Sequence, residues 1–163
     1  MAQGAFSGDS TTWLADFVWK WAPNGNSAHQ NLKFQSEYFV REEKGGLVCS
    51  GAGACAVPVD SSYKSKQSGW YAQGVYQFTP QWRAGLRYEQ LDSGARDFGA
   101  NAANLVVDSY RPKKASAMVD YSWSEFSRLR LQIAQDKSMT GITDNQLTLQ
   151  YVMSLGAHGA HKF

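Results

Sequence analysis

The sequence predicts an all-β chain: an antiparallel meander of about seven long membrane-spanning strands, forming part of a transmembrane β-barrel. Three observations lead there. Period-two alternation recurs along the chain and persists for roughly nine to thirteen residues at a time, where globular strands run about five or six and a tilted strand crossing a bilayer needs roughly 9–11. Connections alternate in length: Trp21 to Asn31, Thr79 to Gln81 and Ser124 to Phe126 are short, whereas Arg41 to Gly69, Leu91 to Tyr110 and Ser138 to Asn145 are longer and rich in small and polar residues. Aromatic residues gather at the short-turn ends (Trp19, Trp21, Phe34, Phe78, Trp82, Tyr121, Trp123 and Phe126), where a ring with an apolar body and a polar edge suits a water–lipid boundary.

Each strand follows from its own alternation. The first places Trp13, Ala15, Phe17, Trp19 and Trp21 on one face and Leu14, Asp16, Val18 and Lys20 on the other, and Pro23-Asn24-Gly25-Asn26 ends it. The second sets Leu32, Phe34, Ser36, Tyr38 and Val40 against Lys33, Gln35, Glu37, Phe39 and Arg41. The third carries Trp70, Ala72, Gly74, Tyr76 and Phe78 and stops at Thr79-Pro80. The fourth opposes Trp82, Ala84, Leu86 and Tyr88 to Arg83, Gly85, Arg87 and Glu89. The fifth opposes Ala115, Ala117, Val119, Tyr121 and Trp123 to Lys114, Ser116, Met118, Asp120 and Ser122. The sixth opposes Leu129, Leu131 and Ile133 to Arg128, Arg130, Gln132 and Asp136, and the last runs Leu147, Leu149, Tyr151, Met153 and Leu155. Residues 1–11 read as irregular and the Gly/Ala/Ser-rich stretch Gly45 to Val59 as a loop. Seven is odd, whereas single-chain bacterial barrels close with an even number, so residues 1–163 are expected to form a single, open region that is the C-terminal portion of a larger barrel.

Composition narrows the functional classes. With 163 residues, 43% hydrophobic and 13% aromatic, the chain is one domain and too apolar for a disordered segment. Its 16 Lys and Arg against 14 Asp and Glu advertise no nucleic-acid surface, and no apolar run approaches a spanning helix. Met1 to Ser10 has no secretory signal pattern. Cys49 and Cys55 sit close enough to close a small disulfide in an oxidising compartment, with two free thiols as the alternative from spacing alone. His158 and His161 are three apart in a strand and so face opposite ways, which suits a structural role better than a metal site. No nucleophile elbow or triad spacing is present, and the mid-strand carboxylates lie among basic residues, so neither enzyme activity nor a cofactor is expected.

The chain ends Ser154-Leu155-Gly156-Ala157-His158-Gly159-Ala160-His161-Lys162-Phe163, with Phe163 in phase with Leu147 to Leu155. This resembles the C-terminal strand of Gram-negative outer-membrane proteins, in which a terminal Phe acts as the membrane-assembly signal. Gly159 and His161 depart from the apolar residues that the pattern favours. The stretch Trp70 to Tyr88 looks like a hairpin of phosphate-selective-type porins, and the Gly-Ala-His-Gly-Ala-His ending resembles proteobacterial proteins described as porins or TonB-dependent receptors, some zinc-regulated. The resemblance covers most of residues 12–163. It implies an outer-membrane location, a lipid bilayer around the barrel, the barrel-assembly machinery as partner of the last strand, and a barrel able to form homo-oligomers.

The function expected is passive passage of small, anionic solutes through a porin-like channel. The face opposite the aromatics would line the pore with Lys20, Lys33, Arg41, Arg83, Arg87, Lys114, Arg128 and Arg130, and with Asp16, Glu37, Glu89, Asp120 and Asp136, an excess of three positive charges. Two other readings stand beside it. One is the barrel portion of a TonB-dependent, metal-related receptor, for which no plug or energy-coupling segment is visible. The other is a soluble β-sandwich binding module, whose core the aromatic residues would form.

Overall fold

The computed structural model describes residues 2–51, 55–105 and 109–154. Seven strands, β1 (Ala2–Trp21), β2 (Asn31–Gly51), β3 (Val59–Gln77), β4 (Trp82–Asp97), β5 (Lys113–Ser124), β6 (Ser127–Lys137) and β7 (Asp144–Met153), form one antiparallel sheet in chain order. Each strand pairs with its neighbours in sequence, as short hairpin connections favour. The sheet is a meander that does not close on itself, with β1 and β7 as its edges among the described residues.

Two expectations fail at the long-loop end. Residues 1–11 are not irregular: β1 begins at Ala2 and stays in register with β2 from Ala2 opposite Gly51 to Trp21 opposite Leu32. The stretch Gly45 to Val59 is not a loop either, since β2 runs to Gly51, β3 starts at Val59, and residues 52–58 connect them. Gly, Ser and Ala carry no alternation of their own, so local pattern could not mark these strands. Pairing with a neighbour makes them. A Cβ at Gly8 would stand 2.6 Å from the Gly45 Cα, so two glycines opposite each other allow an approach that larger residues would prevent. The contrast in connection length therefore narrows: residues 22–30 are no shorter than residues 52–58, and the asymmetry rests mainly on residues 98–112. Instead, β1 to β4 project beyond β5 to β7.

That projection holds the buried core. Leu47, Cys49, Cys55 and Asn101 are fully or nearly inaccessible. Cys49 and Cys55 are joined in a disulfide with a Cα separation of 5.6 Å, and Cys49 lies within β2 rather than in the connection. The segment after β4 folds back over β2 and β3 through a 3₁₀ turn, Gly99–Asn101. There the Asn101 Nδ2 donates to the Val59 carbonyl at 2.9 Å and the Ser61 Oγ at 3.0 Å, and the Ser61 hydroxyl donates to the Phe98 carbonyl at 2.7 Å. The rings of Phe6 and Tyr63 (5.4 Å between centroids) and of Tyr63 and Phe98 (5.5 Å) complete it. A β-bulge between Lys66 and Ser68 interrupts the β3–β4 register, and Gly94 (φ 57°) presses against the Lys66 carbonyl, where a side chain has no room.

Candidate functional site

The register makes the two faces continuous across all seven strands. Asp16 pairs with Glu37, Glu37 with Tyr71, Tyr71 with Glu89, Glu89 with Lys114, Lys114 with Asp136, and Asp136 with Asp144. Every charged residue expected on the polar face is therefore on one side of one sheet. Trp13 to Trp21, Leu32 to Val40, Trp70 to Tyr76, Trp82 to Tyr88, Ala115 to Trp123, Leu129 to Ile133 and Leu147 to Met153 supply the other side at alternate positions.

Exposure is inverted relative to a water-soluble sheet. On the apolar face Trp13 is 72% exposed, Leu86 70%, Leu147 73% and Leu149 70%. In β4 the polar face is the sheltered one, with Arg83, Gly85, Arg87 and Glu89 all less accessible than Trp82, Ala84, Leu86 and Tyr88 between them, whereas on the edge strand β1 both faces are exposed. Asp120 is wholly inaccessible. Toward the long-loop end the apolar face turns polar in every strand, at Thr11, Glu42, Lys66, Asp92, Lys113, Lys137 and Asn145. The apolar stretch from Trp13 to Trp21 is about 27 Å along its strand, or about 20 Å along the axis of a sheet tilted by some 40°. Its short-turn border is a run of touching rings, Trp82–Tyr121 at 4.7 Å, Tyr121–Trp123 at 5.5 Å and Trp123–Tyr151 at 5.9 Å between centroids.

The charged side chains form three groups. Near the short-turn end Asp120 gathers Arg83, Arg128 and Arg130 from β4 and β6. Arg130 grips it with both prongs, Nε to Oδ1 at 2.7 Å and Nη2 to Oδ2 at 3.0 Å, while Arg83 stands at 3.4 Å and Arg128 at 3.8 Å. One buried carboxylate thus holds three guanidinium groups whose outer edges remain about one-third exposed. Midway along the strands Arg87 lies over the Tyr71 ring at 3.9 Å, donates to Glu89 at 2.8 Å and to Gln73 at 3.2 Å. Tyr71 in turn reaches Glu37 at 3.4 Å. Nearer the long-loop end Lys114 binds Asp136 at 3.1 Å and Gln146 at 3.0 Å. Tyr71, Arg87 and Glu89 of the second group and Lys114 and Asp136 of the third, with Phe39, Leu91 and Pro112, line a recess of about 310 Å³.

Lys20 and Lys33 are direct cross-strand partners and belong to none of these groups. Arg41 is held by Glu43 at 2.7 Å. Register also brings Glu43, Arg96 and Asp144 onto this face, which trims the expected excess of cations by one. Sequence reasoning missed Tyr71, which donates to Glu37, and Gln73, which accepts from Arg87 and donates to Gln35. Their only signal was their phase with Glu37 and Arg87. Among the described residues no cluster of His, Cys, Asp and Glu fit to hold a metal ion occurs, and Phe163, His158 and His161 lie outside the described residues.

Outside the apolar stretch, Lys66 binds Glu42 at 2.8 Å. The hydrogen bond from Lys66, reinforced by its charge, holds the Glu42 carboxyl below the usual glutamate range and raises the Lys66 ammonium in return.

No protein-family model and no solved structure matches the chain. A curated protein of Aquifex aeolicus (strain VF5), described only as an uncharacterized protein, is 28% identical over 166 residues, which cover 98% of this chain and 32% of that protein. The chain spans about a third of the length of the curated relative it matches.

Proposed function

We propose that the chain is a wall segment of an outer-membrane β-barrel that admits small, mainly anionic solutes by passive diffusion. The observation that carries this reading is the inversion of the sheet. Seven strands expose a continuous apolar face about 20 Å tall, bordered at the short turns by aromatic rings, and the inner strands shelter a face of ion pairs and amides. In water such a face would be a large sticky patch, whereas in lipid it is the ordinary outer surface of a barrel whose polar side chains meet a wet pore. The unpaired edges of β1 and β7 require partners in lipid, because an open backbone edge there leaves polar groups unsatisfied. Further strands of a longer protein would supply them, and the Aquifex relative has room for such strands. The barrel would hold no cofactor and perform no chemistry on its solute.

The test uses the full-length protein reconstituted in phospholipid vesicles. Swelling in iso-osmotic small carboxylates or phosphate is expected to exceed that of empty vesicles, and extraction is expected to need detergent. Full solubility without detergent would defeat the membrane reading. Vesicles that remain impermeable although the protein is inserted would defeat the channel reading while leaving the barrel.

A further inference from the structure

We infer that the polar face is divided along the strands into a cationic mouth at the short turns and an acidic wall above it, so that the channel proposed above conducts ions more readily in one direction. This inference rests on the channel reading.

The division shows first in cross-strand partners. On β1 and β2 Lys20 stands opposite Lys33, and Asp16 stands opposite Glu37, two like-charge pairs four residues apart. Like charges directly opposite each other are unfavourable, and an exchange of one Lys with one acid would turn both pairs favourable. Asp136 opposite Asp144 repeats the pattern on β6 and β7. On β1 and β2 charges are thus sorted by height, whereas on β4 to β6 opposite charges face each other, Arg83 and Arg130 against Asp120 and Lys114 between Glu89 and Asp136.

Ion pairing removes the remaining ambiguity. Arg87 is neutralised by Glu89, Lys114 by Asp136, Arg41 by Glu43 and Arg130 by Asp120. Among the described residues of this face, the groups left uncompensated near the short turns are Lys20 and Lys33 on β1 and β2, and Arg83 and Arg128, which share the carboxylate that Arg130 already occupies. Each lies within the first few residues from the short-turn end of its strand. Farther in, Asp16, Glu37 and Asp144 enter no ion pair, although Glu37 accepts from Tyr71 and Asp144 from Gln146. Arg96 lies beyond them on the projecting part of β4, in no ion pair among the described residues, since Glu43 beside it is taken by Arg41, so the three acids outweigh it by two charges. The sign change between Lys20 and Asp16 spans about 13 Å of strand.

A pore with fixed negative charge at one end and positive charge at the other concentrates cations in the first zone and anions in the second. When the long-loop side is positive, both kinds of ion are driven from their own zone toward the junction and the pore fills with carriers. With the polarity reversed both are drawn away and the junction is depleted. Screening sets the range: the Debye length is about 10 Å at 0.1 M salt, which keeps the two zones distinct and active, and about 3 Å at 1 M, which erases them.

Single-channel currents of the full-length protein in planar bilayers test this, with orientation assigned by an impermeant thiol reagent acting on His29→Cys in the exposed β1–β2 turn. The native cysteines are tied up with each other and do not react. At about 0.1 M KCl the current is expected to be about twofold larger when the long-loop side is positive, and to become symmetric at about 1 M. The combined variant Asp16→Asn, Glu37→Gln, Asp144→Asn leaves every ion pair intact and is expected to abolish the asymmetry and shift the reversal potential toward anions. The converse variant Lys20→Gln, Lys33→Gln is expected to shift it toward cations. Symmetric current at low salt, asymmetry of the opposite sign, or asymmetry that survives both variants would overturn the inference while leaving the channel standing. Absence of any channel would overturn the reading beneath it.

Discussion

Replacing Asp120 with Asn keeps the shape of the side chain and removes the one negative charge that three arginines share. At an effective dielectric of 20, contacts of 2.7, 3.4 and 3.8 Å correspond to gross attractions of about 6, 5 and 4 kcal/mol. Desolvation of a carboxylate with 1% of its side chain exposed, and repulsion among the guanidinium groups, cancel most of that sum. The loss on removing one partner of a buried pair then remains at about 3 kcal/mol, and it falls on the β4–β5–β6 contacts. Urea unfolding of the full-length protein folded in detergent, followed by tryptophan fluorescence, measures it. Trp82 and Trp123 stand beside this region and report on it. Asp120→Asn and Arg130→Gln should be strongly non-additive in a double-mutant cycle, because the second change then has no bidentate partner left to lose. A cost below about 1 kcal/mol, or simple additivity, would refute the view that Asp120 organises the cluster.

Three further outcomes follow from the geometry. Leu86→Arg, in the middle of the apolar face and 70% exposed, should cost about 3 kcal/mol if that face meets lipid and no more than about 0.5 kcal/mol if it meets water, as read from unfolding midpoints in vesicles. Thiol titration of the denatured, unreduced protein should find no reactive cysteine, and Cys49→Ser with Cys55→Ser should lower stability by about 2 kcal/mol, the loop-closure value for a separation of 6 residues. Because Lys66 depresses the Glu42 carboxyl, the small stabilisation from that exposed pair is present above the ordinary glutamate pKa and disappears as pH falls through the lower folded value. Acid titration of Glu42→Gln beside the parent protein should show their stabilities converging on the acid side, and an unchanged gap would count against the pair.

Local pattern determined the strands wherever large apolar and polar residues alternate. Trp13 to Trp21, Leu32 to Arg41, Trp82 to Glu89 and Lys114 to Trp123 were legible because period two is a property of the single strand, and the charged face followed from the same phase. The strands through Gly4, Gly8, Gly45 and Gly46 were not legible. Small residues there leave no amphipathic trace, and extended structure arises from pairing with a partner dozens of residues away. Tertiary structure alone decided which charges meet. Arg83, Arg128 and Arg130 come from two different strands, and the pairing of β4 with β5 and of β5 with β6 brought them to one buried carboxylate. Register also decided that Lys20 faces Lys33 and Asp16 faces Glu37, since a slip of two residues would have kept every side chain on its face and yet changed every partner. Side-chain direction is written along the chain, but the neighbour across the sheet is set by strand pairing.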